Sequence, residues 1–290
     1  MNKEIRIGSH IISENSPAFI VAEMSANHNM DFDRAVAIMW AAKDAGADAI
    51  KIQTYTADTI TLDCDDPCFH ITQGTLWDGT TLHKLYETAY TPWEWQPKLK
   101  KLAEEMGLEF FSSPFDLTAV DFLEEMDVPA YKVASFEIND IPMLKKIAAL
   151  GKPVILATGI AHLADIELAM DTCRKAGNDN VILLKCTSAY PAPYEDINLR
   201  TIPSMAQTFD CISGLSDHTM GGAVAGAAVA LGAKVVEKHL TLRRADGGAD
   251  SAFSMEPEEF KEMVDNIRKI ELAMGKVTYD LTPKAARERE

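Results

Sequence analysis

The sequence has little of what membrane-spanning and secreted proteins require. Its longest uncharged run, residues 219–233, is too short to cross a bilayer, and the start MNKEIRIGSH holds no continuous apolar stretch that would serve as a signal peptide. Only five cysteines are present, an odd number without framework-like spacing, which favours reduced thiols over disulfides. We therefore expect a cytoplasmic protein with no membrane partner.

Positive charge is also scarce. The chain has 28 Lys and Arg against 44 Asp and Glu, a formal net charge of −16, and no basic run stands out. This balance excludes a nucleic-acid partner, because such partners demand clustered cations. Any anionic substrate must instead be met by a few lysines or arginines concentrated in one place.

What the chain does have is a regular alternation of short apolar runs and helix-period segments, which predicts parallel strands joined by helices. Eight such units indicate an α/β protein, a (β/α)8 TIM barrel. Residues 4–16 predict a short N-terminal β-hairpin at the barrel bottom, and residues 64–81 predict an active-site insertion after the second barrel strand. The barrel domain is expected over residues 1–280, followed by a linker or tail at 281–290. The predicted strands are 19–23, 49–53, 109–113, 131–135, 154–158, 182–186, 211–215 and 235–239.

Nearly every predicted strand ends in polar or ionisable residues. Barrel active sites are built at the C-terminal ends of the strands. For one strand a solvated edge would explain this, but for eight strands a shared polar pocket is the better interpretation.

Two histidines, His218 in the stretch GLSDHT and His239 in VVEKH, end adjacent predicted strands. Two neutral imidazoles with nearby carboxylates, here Glu23 and Asp250, suit a borderline divalent metal ion. A hydrogen-bonded structural role is the alternative for either ring alone. Asp217 is expected either to orient an imidazole or to cap the following helix.

Lys51 and Lys132 end the second and fourth predicted strands and are the local cations that the acidic composition calls for. With nearby serine hydroxyls they would hold a phosphate and a carboxylate. Two alternatives stay open: internal salt bridges, Lys51 to Glu23 or Lys132 to Glu137, and a Schiff-base lysine at position 132 or 185. The serines are Ser113, Ser135, Ser188 and Ser216.

Several segments resemble, in order and spacing, the sialic acid synthase family over essentially the whole chain. They are VAEMSANHN, DAIKIQTYT, FFSSPFD, YKVASFE, LLKCTSAYPAP, GLSDHT, VVEKHLTL and GADSAFSM. KIQTYTAD, GTLWD and YKVASFE are most similar to the pseudaminic acid branch of that family. Ser188, where the N-acetylneuraminate branch tends to have Asn, agrees with a different sugar, whereas Ala157 stands where many relatives have Ser.

The resemblance implies a transferase that condenses phosphoenolpyruvate with an open-chain 2,4-diacetamido-2,4,6-trideoxyhexose, giving pseudaminic acid and phosphate. N-acetylneuraminate or legionaminate synthesis is the nearest alternative, and a metal-free aldolase or a non-catalytic ligand-binding barrel is more distant. The implied cofactor is a divalent metal ion, most commonly Mn2+, with Mg2+ and Co2+ as alternatives. Members usually continue into a small antifreeze-like domain that reaches across a homodimer, and that domain is not expected within these residues.

The resemblance also implies a role for each candidate residue. The metal would be held by His218 and His239. Water and proton transfer would fall to Glu23, Glu137, Glu237 and Asp250. Phosphoenolpyruvate would be bound by Lys51, Ser113, Lys132, Ser135, Ser188 and Ser216, with Gln53 and Tyr190 facing the sugar.

Overall fold

A computed structural model of the protein describes residues 1–72, 74 and 77–289. The strands are β1 (Glu4–Ile7), β2 (His10–Ser13), β3 (Phe19–Glu23), β4 (Ala49–Thr54), β5 (Glu109–Pro114), β6 (Tyr131–Val133), β7 (Val154–Ala157), β8 (Val181–Cys186), β9 (Ile212–Asp217) and β10 (Val235–His239). The helices are α1 (Phe32–Asp44), α2 (Ala57–Ile60), α3 (Leu82–Ala89), α4 (Gln96–Met106), α5 (Leu117–Glu125), α6 (Ile141–Ala149), α7 (Leu163–Lys175), α8 (Thr201–Phe209), α9 (Ala223–Ala230), α10 (Pro257–Met274) and α11 (Pro283–Arg289).

Strands β3 to β10 form a closed parallel barrel, with β10 pairing back onto β3. Helices between the strands cover its outer face, and several begin at a capping side chain. Asp31 and Asp116, for example, accept backbone N–H groups in the first turns of α1 and α5. The predicted (β/α)8 barrel is confirmed.

Every second side chain of a barrel strand points into the barrel, and these inward side chains change from apolar to polar along the strand. In β4 the inward position Ala49 is apolar, whereas Lys51, two residues later, is a buried cation. In β10 the order is Val235, then Glu237, then His239. Apolar packing therefore fills the lower barrel, and polar side chains of the same parity gather at the C-terminal end.

The N-terminal hairpin, β1 and β2, closes the lower end as predicted. Ile5, Ile7 and Ile12 are buried against the inward residues of the lower barrel. The backbone N–H and the hydroxyl of Ser9 each donate to Glu109 Oε1 at 2.7 Å. The turn needs glycine at position 8, because φ is +55° and a Cβ there would lie 1.8 Å from Glu109 Oε2.

Two predicted strands end two residues away from the observed position, and four others differ from the observed strands by one residue at one end. The fourth barrel strand, predicted over 131–135, ends at Val133 because the chain turns into a short 3-10 segment, Ser135–Glu137. The seventh, predicted over 211–215, runs from Ile212 to Asp217, since Ser216 and Asp217 still pair with β10.

The predicted insertion at 64–81 contains a short 3-10 segment, Pro67–Phe69, and a bridge between His70 and Thr81. Its residues 73, 75 and 76, two of which belong to the motif GTLWD, lie outside the described residues, as does residue 290 of the predicted tail. Within the described part of the chain, every helix is too short or too polar to span a bilayer.

Candidate active site

The C-terminal ends of the barrel strands bring together two lysines and two glutamates, which we call the four-charge cluster: Glu23, Lys51, Lys132 and Glu237. Lys51 Nζ lies 2.7 Å from Glu23 Oε2 and 3.7 Å from Glu237 Oε1. Lys132 Nζ lies 3.0 Å from Glu237 Oε1. All four residues are at most 4% exposed. Their mutual pairing is what makes so many buried charges tolerable.

The cluster decides between the predicted salt bridges. The pair of Lys51 with Glu23 is present. The predicted pair of Lys132 with Glu137 is wrong among the described residues, because Lys132 points into the barrel from β6 and reaches Glu237 on β10. Glu137 follows β6 on the 3-10 segment, and its Oε2 is buried without a hydrogen-bond partner.

The carboxyl groups of the site have clearly different proton affinities. Burial raises the pKa of Glu23 against the pull of the Lys51 ammonium. Burial would also raise the pKa of Glu237, but Lys132 and Lys51 together lower it to about 2. For Glu137, burial raises the pKa to about 7. Glu237 is therefore ionised at neutral pH, whereas Glu137 is able to exchange a proton there.

The predicted serines fall into two pairs. Ser113 Oγ accepts a hydrogen bond from Lys51 Nζ at 3.2 Å, and Ser216 Oγ donates to Glu237 Oε1 at 3.2 Å. Ser188 Oγ donates to Ser135 Oγ at 3.2 Å. The first pair belongs to the four-charge cluster, and the second lies beside Gly159, whose lack of a side chain leaves room for both hydroxyls.

Gln53 links the cluster to Asp250 through a residue that sequence reasoning missed. Gln53 Nε2 donates to Glu23 Oε1 at 2.9 Å and to Ser25 Oγ at 3.0 Å. Ser25 Oγ in turn donates to Asp250 Oδ2. Ser25 has a φ of +47°, unusual for a non-glycine residue. Its place just past the end of β3 was the available signal.

His218 and His239 come together as predicted, with ring centroids 5.4 Å apart. Burial lowers the pKa of His239 well below its ordinary value, and its Nδ1 is buried without a hydrogen-bond partner. His218 Nδ1 lies 2.9 Å from the Thr187 carbonyl oxygen, so Nδ1 carries the proton and donates it. Burial would lower the pKa of His218, but Cys186 and that carbonyl raise it.

The carboxylates expected to complete the metal site do not join the imidazoles. Glu23 is engaged by Lys51 and Gln53, and Asp250 accepts from Ser25. Among residues 1–72, 74 and 77–289, no group of three His, Cys, Asp or Glu side chains is arranged to hold a metal ion. The two imidazoles nevertheless fit one, since His239 is neutral and His218 leaves Nε2 free, and water or substrate oxygens would have to supply the other ligands.

Aromatic rings form a wall beside the imidazoles. Tyr190 packs 4.6 Å from His218 and 5.1 Å from Phe253, measured between ring centroids. Trp77 approaches Tyr190 at 6.4 Å and donates its indole N–H to the Ala249 carbonyl at 2.8 Å. Phe253 was missed from sequence, where its only signal was the quoted motif GADSAFSM.

Lys185, one of the two Schiff-base candidates, faces away from this site. Its neighbours Leu184 and Cys186 occupy the alternate strand positions whose side chains point into the barrel. Lys185 Nζ donates to the Cys186 carbonyl at 2.6 Å and to Thr187 Oγ1 at 3.2 Å. It lines a cavity of about 860 Å3 beside α8, whose lining also includes Gly159. The other candidate, Lys132, is ion-paired.

Comparison with known proteins places the chain in one family. Residues 38–279 match the NeuB family. The chain is 44% identical over 273 residues to a pseudaminic acid synthase of Helicobacter pylori, covering 94% of this chain and 80% of the relative. It is 46% identical over 271 residues to a pseudaminic acid synthase of Campylobacter jejuni, covering 93% and 79%.

A solved structure agrees. The N-acetylneuraminic acid synthetase of Leptospira borgpetersenii, crystallised with citrate, superposes with a TM-score of 0.88 at 31% identity, covering 100% of this chain and 96% of that one. These findings confirm the predicted family and barrel.

Proposed function

The chain belongs to the NeuB family, and we propose that it is a transferase that condenses phosphoenolpyruvate with an open-chain 2,4-diacetamido-2,4,6-trideoxyhexose, releasing pseudaminic acid and phosphate. One observation carries the proposal: the four-charge cluster and the pair of imidazoles share the C-terminal end of a barrel. This arrangement offers cations to an enol phosphate and two imidazole nitrogens beside them.

Phosphoenolpyruvate would be held by Lys51 and Lys132, the two buried ammonium groups. Each ammonium has three donors, and Glu23 and Glu237 use only some of them. Ser113 and Ser216 already bond within the cluster, and Ser135 with Ser188 add a second pair of hydroxyls. Charge-assisted hydrogen bonds to phosphate and carboxylate would fix the substrate's orientation.

The reaction would begin with attack of the C3 carbon of phosphoenolpyruvate on the sugar aldehyde carbon, which leaves positive charge at C2. Glu237, held ionised by the two lysines, would stabilise that charge. Water then adds at C2, and the resulting tetrahedral carbon expels phosphate by C–O cleavage. Glu23, Glu137 and Asp250, whose pKa values burial raises, are suited to carry the protons of these steps.

His218 and His239 would hold a divalent metal ion, which we propose to be Mn2+. When bound, the ion would polarise the sugar aldehyde. The Thr187 carbonyl keeps the His218 proton on Nδ1, which leaves Nε2 for the ion.

Gln53 and Tyr190 would face the sugar. Gln53 adjoins Glu23 and Ser25 and therefore borders the cluster, whereas Tyr190 packs on His218 and borders the imidazoles. The aromatic wall of Tyr190, Phe253 and Trp77 offers apolar surface to a sugar that carries methyl and acetamido groups.

The test is phosphate release with Mn2+, phosphoenolpyruvate and each of three sugars: the trideoxyhexose, its legionaminic acid counterpart and N-acetylmannosamine. We expect release with the first sugar and loss of release when a chelator is added. Release that prefers another sugar would reassign the substrate, and no sugar-dependent phosphate would refute the proposal.

A borohydride control addresses the Schiff-base alternative. Pyruvate and borohydride would trap an adduct on Lys132 or Lys185 of an aldolase, and a chelator would do no harm. We expect no adduct, because Lys132 is ion-paired and Lys185 faces away from the site.

A further inference from the structure

The loop that carries His218 is tied to the strand that carries His239 by a buried ion pair outside the barrel interior. Lys238 Nζ donates to Asp217 Oδ2 at 2.7 Å and to the Thr219 carbonyl at 2.6 Å. Asp217 Oδ1 accepts from Thr219 N at 2.9 Å and from Thr219 Oγ1 at 2.8 Å. We call these contacts the Asp217–Lys238 clamp; its three residues are at most 2% exposed.

The clamp lies at the C-terminal end of the pairing between β9 and β10, beyond which sheet hydrogen bonds no longer fix the backbone. The ladder between β9 and β10 ends at the pair of Asp217 with Lys238, and His218 lies just beyond it. The direction of its imidazole is therefore set by the turn through Asp217, His218 and Thr219, which the clamp grips at both ends. His239 directly follows Lys238, so the same residue fixes the spacing of the two histidines.

The energetic cost of this arrangement favours a positioning role. Buried ion pairs lose much hydration and are often no better for stability than apolar residues of similar volume, and their best-attested use is to specify one geometry. Other bonds hold His218 from the opposite side: its carbonyl accepts Ala192 N–H at 3.0 Å, and its Nδ1 donates to Thr187 O. Those bonds come from the loop after β8 and do not connect it to β10.

We propose that Lys238, through Asp217, is a positioning residue that holds the His218 imidazole in register with His239 for the divalent ion. The inference rests on the proposed function for its metal. It assigns Lys238 no contact with substrate.

The test uses the double variant D217N/K238M in the full chain. Asn at 217 can still accept from Thr219, and Met at 238 removes the link between strands without leaving an unpaired buried charge. K238M alone would leave the Asp217 carboxylate buried without its cation, which is strongly destabilising. The matched control is D121N/K146M, which removes a pair 2.6 Å apart on the outer helices.

Two measurements report on the position of the His218 imidazole without depending on catalytic turnover. Ring 15N spectra of histidine-labelled protein, with His218 assigned through an H218Q sample, report its tautomer without any metal. Titration with Mn2+ alone, followed by the electron paramagnetic resonance of the free ion, reports affinity. We expect D217N/K238M to lose the fixed Nδ1–H pattern of His218 and to bind Mn2+ about 10–100-fold more weakly, while the control changes neither.

Unchanged His218 ring signals in D217N/K238M overturn the inference, whatever the Mn2+ result. If the ring signals change but the parent itself binds no Mn2+, the positioning role stands and the metal assignment of the proposed function fails. Equal losses in the D121N/K146M control would show a general loosening of the fold and overturn the inference as well.

Discussion

Replacing Glu137 by Gln should stabilise the protein in a pH-dependent way. Burial raises the pKa of this carboxyl to about 7 from an ordinary value of 4.5, and its Oε2 has no hydrogen-bond partner. That difference corresponds to about 3 kcal/mol of free energy between the charged and neutral forms. The charged form is thus the disfavoured one in the folded protein.

The sign follows from proton binding. Between pH 4.5 and about 7 the folded protein keeps a proton on Glu137 that the unfolded chain has released. The free energy of unfolding therefore falls as pH rises through this interval and is flat above it, as far as this residue is concerned. Gln cannot ionise, so the stability advantage of E137Q should grow from near zero at pH 4.5 to roughly 3 kcal/mol at pH 8.

Urea unfolding of parent and E137Q at several pH values measures this difference directly. The control is E125Q on the exposed face of α5, which makes the same Glu-to-Gln change where the side chain is not buried. The same E137Q protein should show a lower kcat if Glu137 carries a proton in the reaction. A stability difference for E137Q that does not change between pH 4.5 and 8 would refute the reasoning about its burial.

Three further substitutions test the active site and the plug, by which we mean the N-terminal hairpin that closes the lower end of the barrel. Gly159→Ala places a Cβ against the hydroxyls of Ser188 and Ser135, so both must shift and the KM for phosphoenolpyruvate should rise at least several-fold; an unchanged KM would separate these serines from the substrate. Ile7→Ala should cost about 2–5 kcal/mol in urea unfolding, because the side chain is fully buried, whereas Ile11→Ala, which is 41% exposed, should cost far less; similar losses would contradict the plug. Lys132→Met should weaken phosphoenolpyruvate binding in calorimetry at least tenfold, because the cluster then has two carboxylates and one cation; unaltered affinity would remove Lys132 from the substrate site.

The barrel could be predicted from sequence because its signal is local and repeated. Each strand is a short apolar run, and each helix shows its own period, so eight weak signals agree on one fold. The boundaries that failed lie where tertiary contacts override the pattern. Ser216 and Asp217 look like loop residues, yet pairing with β10 extends the strand through them.

The partners of the charged residues could not be predicted in the same way. Lys132 has a carboxylate five positions away in Glu137, but it reaches across the barrel to Glu237. Which residue a strand end faces depends on barrel closure and on the inward parity, neither of which the spacing along the chain reveals. The same parity turns Lys185 outward, away from the site that its position at a strand end suggested.

The acidity of the chain and the neutrality of the four-charge cluster together weaken the electrostatic attraction of phosphoenolpyruvate to the site. A chain of formal charge −16 offers no general attraction to phosphoenolpyruvate, and two ammonium groups facing two carboxylates add no net charge when all four are ionised. The two carboxylates are not equivalent, however, because burial raises the pKa of Glu23 while the lysines hold Glu237 ionised. A proton taken up by Glu23 would release Lys51 from its closest carboxylate and leave the cluster with one net positive charge. Glu23 would then help to admit the enol phosphate and would enter the reaction already protonated.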